Sequence, residues 1–212
     1  MLEEAIIKSI SPVRINPYLI YQDNNLNKAL LHYKANIKIS QSFYPLLSIL
    51  EVSLRNNFNN QLQKYFKNQC WFDNTVFMSL MNEHQKKQLQ EAKKNTFSDP
   101  NKIIPELSFG FWTSLLDSRL EASLWKHLRL SFPHCPKHLR KRKTMSRKFT
   151  MFRKIRNRIF HHEPISWKRS VLIEYHDEMC EAIKWLNDSL YHWSIDCTDA
   201  KSVIENYRNI IK

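Results

Sequence analysis

Glycine occurs once in the 212 residues, at Gly110, where an average chain would carry roughly 7%. Primed hairpin turns, dinucleotide fingerprints and P-loops need glycine for positive φ or for close approach to a phosphate, so the sequence excludes them. The economical fold is all-helical. The four cysteines, Cys70, Cys135, Cys180 and Cys197, lie far apart and form no CxxC pair. No apolar stretch approaches the roughly 20 residues of a membrane span, and the opening MLEEA is acidic rather than basic and then apolar. These absences lead us to expect a cytoplasmic protein with reduced thiols and no membrane partner.

Hydrophobic residues make up 42% of the chain, with twelve Phe, six Trp and eight Tyr, which excludes a disordered or low-complexity protein. The length suits one domain over 1–212 with a real core. The sequence holds no internal repeat and no flexible linker. The charge of +13 is unevenly placed: Ala122 to His162 carries thirteen Lys or Arg and no Asp or Glu, while the rest holds 20 of each sign. A run such as KHLRKRK is a solvated loop in most proteins, but so long an acid-free stretch favours an electrostatic track for a polyanion. Its candidate RNA contacts are Arg140, Lys141, Arg142, Lys143, Arg147, Lys148 and Arg153.

Periodicity predicts the elements. The first 22 residues, with Pro12 and Pro17, read as a short terminal segment and loop. Asp23, Asn24 and Asn25 can cap a helix with the stripe Leu26, Leu30, Tyr33 and Ile37. A second helix begins near Ser42, with Pro45 in its first turn, and runs to about Lys67. A polar helix from about Thr75 to Asn95 follows, then a loop, TFSDPNKIIPELS. SFGFWTSLLDSRLEASLWKHL reads as one helix through Trp112, Leu116, Leu120 and Leu124. HCPKHLRKRKTMSRK is a basic connection, and Met145 to His162 is a helix ended by Pro164. Beyond it Leu172, Tyr175, Met179, Ala182, Leu186, Leu190 and Trp193 keep a four-three spacing over three heptads. A short helix from Ser202 to Ile211 closes the chain.

RNRIFHHEPI, Arg156 to Ile165, ends the acid-free stretch. Arg156 falls inside the apolar stripe of Met145, Phe149, Phe152, Ile159 and Phe160, where a charge must find a partner. Glu51 and Arg55, four residues apart, fall in line with Phe58 and Leu62. One account is an ion-pair network of Glu51, Arg55 and Arg156 with histidines fraying at a helix end. The other is a set of catalytic groups. A continuous helix places His161 about 140 degrees around from Arg156, whereas Asn157 and His161 share a face. Either the last turn opens before Pro164, or the groups meet across two chains.

With LEVSLRNNF at Leu50 to Phe58 and LSFGFWTSLL at Leu107 to Leu116, this motif resembles the Abi-like (abortive infection) proteins of the HEPN superfamily, whose signature is R-x4-6-H with a polar residue after the Arg. The resemblance spans roughly residues 20 to 195. It implies an all-α, HEPN-like helical bundle that dimerises with its two motifs facing one cleft, and metal-independent cleavage of RNA with no cofactor. Carried over, the motif residues are Arg156, Asn157 and His161, with His162 also meeting the looser spacing. Glu51, Arg55 and Asn56 would support the site or position substrate. An imidazole can take a proton from a ribose 2′-OH or give one to the leaving 5′-oxygen near neutral pH. A guanidinium offers a planar fork to the phosphate as its charge grows. The expected role is phage defence or growth arrest as a toxin, with a neutralising antitoxin, protein or RNA, as a further partner.

Other residues carry less. HCPKH offers His134, Cys135 and His138, but a structural zinc needs four ligands and no second cluster is evident. Trp112, Trp125, Trp167, Trp185 and Trp193 sit at helical spacing from other apolar residues, so core packing is their default and base stacking the alternative. Asp177, Glu178 and Glu181 mark a solvated face. The functional alternative to an enzyme is a non-catalytic RNA-binding helical dimer or scaffold.

Overall fold

The structure, a computed structural model, describes residues 2–211, and every regular element among them is helical. α1 (Leu2–Ile10) and α2 (Pro12–Tyr21) occupy the segment expected to be a loop. Pro12 stands at the first helical position, where a missing N–H costs nothing. Pro17 lies inside α2, and Val13, whose carbonyl would have met its N–H, is at the surface.

α3 (Leu26–Phe66) is one helix of 41 residues where two were expected. Asn25 caps it by accepting from the Lys28 N–H at 3.0 Å. At 1.5 Å per residue it is about 62 Å long. Pro45 sits mid-helix, at a cost of about 3 kcal/mol. The buried Ile39, Phe43, Leu46, Leu47 and Leu50 on either side of it offset that, since each contributes roughly 1.5–3 kcal/mol by leaving water. Periodicity gave helix in both halves, but the buried face of the first is Ala29, His32, Ala35 and Ile39 rather than the expected Leu26, Leu30, Tyr33 and Ile37, of which Ile37 is 50% exposed. The proline suggested a boundary that packing overrides.

Side-chain caps set most other boundaries. The expected helix over 75–95 is divided into α4 (Thr75–Leu80) and α5 (Glu83–Asn95), because Asn82 and Gln85 form a reciprocal capping box. The supposed loop before Leu107 contains α6 (Pro100–Glu106), started by Asp99, which accepts from the Asn101 N–H. α7 (Phe109–Ser114) stops early, and Asp117 restarts the chain as a helical run of mixed pitch. That run contains a π-helical turn over Glu121–Trp125, α8 (Lys126–Leu128) and a 3-10 turn over Arg129–Ser131. The long heptad helix is likewise cut, into α10 (Arg169–Leu186) and α11 (Asp188–Ser194), by Asn187, which accepts from the Leu190 N–H. Trp193, expected on the buried stripe, is 64% exposed as a result. α9 (Arg142–Phe160) carries the motif, and α12 (Ala200–Asn206) ends the regular structure.

α3 is the central strut. It touches α2, α7, α9, α10 and α12, and its buried residues from Ala35 to Leu62 belong to one continuous apolar cluster with Phe149 and Phe152 of α9 and Leu172, Met179 and Ile183 of α10. Among the described residues no helix is long and apolar enough to cross a membrane.

Candidate functional site

The motif helix ends in a closed turn rather than a frayed one. The His162 N–H donates to the Ile159 carbonyl at 3.0 Å and the Glu163 N–H to the Arg158 carbonyl at 2.7 Å. That pair of bonds is a Schellman cap, with His162 at φ 57 in the position glycine usually fills. The chain beyond is fastened to α3. Asn36 Oδ1 accepts from the N–H groups of Ile165 (2.8 Å) and Ser166 (3.2 Å) and from the Ser166 hydroxyl (3.0 Å). One turn earlier, buried His32 donates from Nε2 to the Ser166 carbonyl at 2.6 Å and accepts at Nδ1 from the Gln22 amide at 3.1 Å. This makes it the neutral imidazole, and burial holds its pKa below the ordinary value. Tyr21 donates to the Trp167 carbonyl and Arg14 to that of His162.

Within this frame the expected catalytic residues face different ways. Arg156 is half-buried, with its Nε 3.7 Å from Glu51 Oε2 and its guanidinium 4.3 Å above the Phe160 ring. The Glu51 contact is an ion pair but too long for a hydrogen bond, and Arg156 Nε has no hydrogen-bond partner among the described residues. Asn157 and His161 are exposed. His162 lines an apolar groove of about 440 Å³ with Tyr33, Ile37, Tyr44 and Phe160. Arg55 and Asn56, bonded to each other at 3.3 Å, instead line a cavity of about 240 Å³ against Pro100, Ile104 and Pro105. The structure therefore joins Glu51 to Arg156, whereas among the described residues no hydrogen bond or ion pair links Arg55 or Asn56 to the motif. The last turn stays closed, so the phase difference between Arg156 and His161 persists.

The basic run divides by pairing. Lys148 is 8% exposed, bridges Glu178 and Glu181 of α10 and lies 4.4 Å from the Trp185 ring centroid. Its ammonium is buried and doubly paired rather than offered to solvent as an RNA contact would be, and it engages two of the three acids expected on a solvated face, which stay partly exposed. Arg142, 13% exposed, bonds Glu121 at 2.7 Å and the Leu116 carbonyl at 3.0 Å. It thus fastens α9 to the irregular run. Arg153 packs beside Gly110 of α7, whose absent Cβ would lie 3.9 Å from its Cδ. Arg140 is partly buried, near the buried Cys135, whose thiol burial pushes up to about 11. Lys141, Lys143 and Arg147 are exposed.

Those three line a groove of about 1160 Å³ between α9 and the start of α10, joined by Lys154, Asn157, Arg158 and Lys168. Lys143, Arg147, Lys154 and Lys168 have no carboxylate within ion-pair distance among the described residues, and Glu163, 3.5 Å from Arg158, is the acid that lines the groove. Lys143, Arg147, Thr150, Lys154, Asn157 and His161 follow one another at spacings of four and three, so α9 presents them as one stripe. Sequence reasoning missed Lys154, Arg158 and Lys168, although the same helical phase selects the first. It also missed Asn36 and His32, whose only signal was two polar residues four apart within an apolar helix. Comparison with known proteins found no matching family model, no matching curated protein and no matching solved structure.

Proposed function

We propose that the protein is a metal-independent endoribonuclease of the HEPN type, acting in phage defence or as a growth-arresting toxin, with RNA as substrate and an antitoxin as its restraint. The observation that carries this reading is the stripe on α9, where unpaired cations lead along one exposed face to Asn157 and His161. Phosphates laid on Lys143, Arg147 and Lys154 would bring a ribose to the histidine, whose imidazole takes the 2′-OH proton or protonates the leaving 5′-oxygen. The products are a 2′,3′-cyclic phosphate and a 5′-OH. Arg156 lies around the helix from His161, so a full set of groups draws its guanidinium from a second copy across a two-fold axis. Exposed Ile37, Tyr44 and Phe160 beside the motif give such a homodimer apolar surface to bury.

A second reading rests on Arg156 itself. Its pairing with Glu51 and stacking on Phe160 are what a purely structural arginine would do, which favours a non-catalytic RNA-binding dimer. Incubating labelled RNA with the protein in EDTA decides between them. Cyclic-phosphate ends that disappear in His161→Ala support the enzyme; bound but intact RNA supports the binder.

A further inference from the structure

The groove between α9 and α10 has two chemistries, a cationic rim and an apolar floor. The rim cations Lys143, Arg147, Lys154 and Arg158 are spread over about 22 Å of helix, and Lys168, at the N-terminal cap of α10, lines the same groove. The floor is Met151, Ile155, Ile165, Trp167, Val171 and Tyr175. Its volume of about 1160 Å³ exceeds the roughly 300–1,000 Å³ of ordinary small-molecule pockets, which suits an extended ligand. Trp167 is braced from behind, with its ring 5.3–5.4 Å from those of Tyr18, Tyr21 and His32, and its backbone is tied through Tyr21. Tyr175 is half-buried on the same floor.

A duplex meets such a groove poorly. Its phosphates could engage the rim, but its bases are stacked inside and cannot reach an apolar floor. An unpaired strand offers phosphate to the rim and an unstacked base to the floor at once. We infer that this groove binds single-stranded RNA, with backbone phosphates on Lys143, Arg147, Lys154 and Lys168 and a base against Trp167 and Tyr175. The inference rests on reading this face as the RNA surface, but it does not require that the chain cleave.

The test uses the full chain and a fluorescein-labelled 2′-O-methyl oligouridylate, which lacks the 2′-OH nucleophile and so cannot be cut. Anisotropy should show binding at least tenfold tighter than to the same strand annealed to its complement. Tyr175→Ala should weaken the single strand by about tenfold, the effect of losing one stacked base, while Tyr175→Phe keeps the ring and the affinity. Lys154→Glu with Lys168→Glu should weaken binding and flatten its salt dependence. If Tyr175→Ala disturbs folding, photocrosslinking of a 4-thiouridine strand to the wild-type chain takes its place, with adducts expected within 165–175. Equal affinity for duplex and single strand, an unaffected Tyr175→Ala, or crosslinks mapping elsewhere overturns the inference. Cleavage that fails while the groove still selects single strands would instead remove the nuclease reading and leave this one standing.

Discussion

His162 occupies a left-handed backbone position with a side chain attached, at φ 57. Most residues other than glycine are strained there. His162→Gly should therefore raise stability by up to about 1 kcal/mol, read as a higher denaturation midpoint, and should leave cleavage intact because the stripe on α9 leads to His161. Loss of cleavage in that variant would transfer the catalytic role to His162. His32 gives a second test. Burial depresses its pKa below 6.5, so below pH 6.5 the unfolded chain binds the proton more readily than the native one. Its stabilising effect is complete above pH 6.5 and is lost as pH falls through the folded value. The urea midpoint should drop between pH 7.5 and 5.5, and His32→Gln should flatten that dependence. At this scale the sequence was only partly legible. The phase of Arg156 and its Glu51 partner followed from 100 degrees per residue, because both sit in regular helix. The clamp made by Asn36 and His32 did not, since its acceptors and donors are backbone groups of Ile165 and Ser166, more than a hundred residues away.

α9 shows how a uniform basic sequence becomes a structure with distinct sides. Its thirteen-cation neighbourhood looked alike residue by residue. Helical phase then turned Lys148 inward to Glu178 and Glu181, Arg156 to Glu51, and Lys143, Arg147 and Lys154 outward. Lys148→Met should keep most of the packing against Trp185 and leave the salt dependence of RNA binding unchanged. Lys148→Glu should destabilise the fold by on the order of 2 kcal/mol, below the 3–5 of a fully buried pair because the two carboxylates are partly exposed. A reduced salt slope in Lys148→Met would return this residue to the RNA surface. Element positions were more legible than their ends. Asn82, Asp99, Asp117 and Asn187 each start a new helix by accepting backbone N–H groups. Their short polar side chains stand inside otherwise helical patterns, where periodicity alone reads straight through them.

For the whole molecule, scarcity of glycine and spacing of apolar residues were enough to give an all-helical fold, because helices need neither tight turns nor positive φ along their length. The assembly is a separate matter. Sedimentation at assay concentration should show a dimer, and Tyr44→Lys with Phe160→Glu should yield monomers that no longer cleave. A fully active monomer would remove the composite site. One further consequence follows from α3, which supplies the strut for partners lying both before and far after it. Its main partner α10 ends 120 residues beyond it, on the order of ten seconds of synthesis at 5–20 residues per second. For that interval a 41-residue helix with an apolar face emerges before α7, α9, α10 and α12, which cover it together with α2. The nascent chain is thus most exposed to aggregation, and most in need of a chaperone, while residues 67–186 are being translated, a span that includes all of α9 and its cationic stripe.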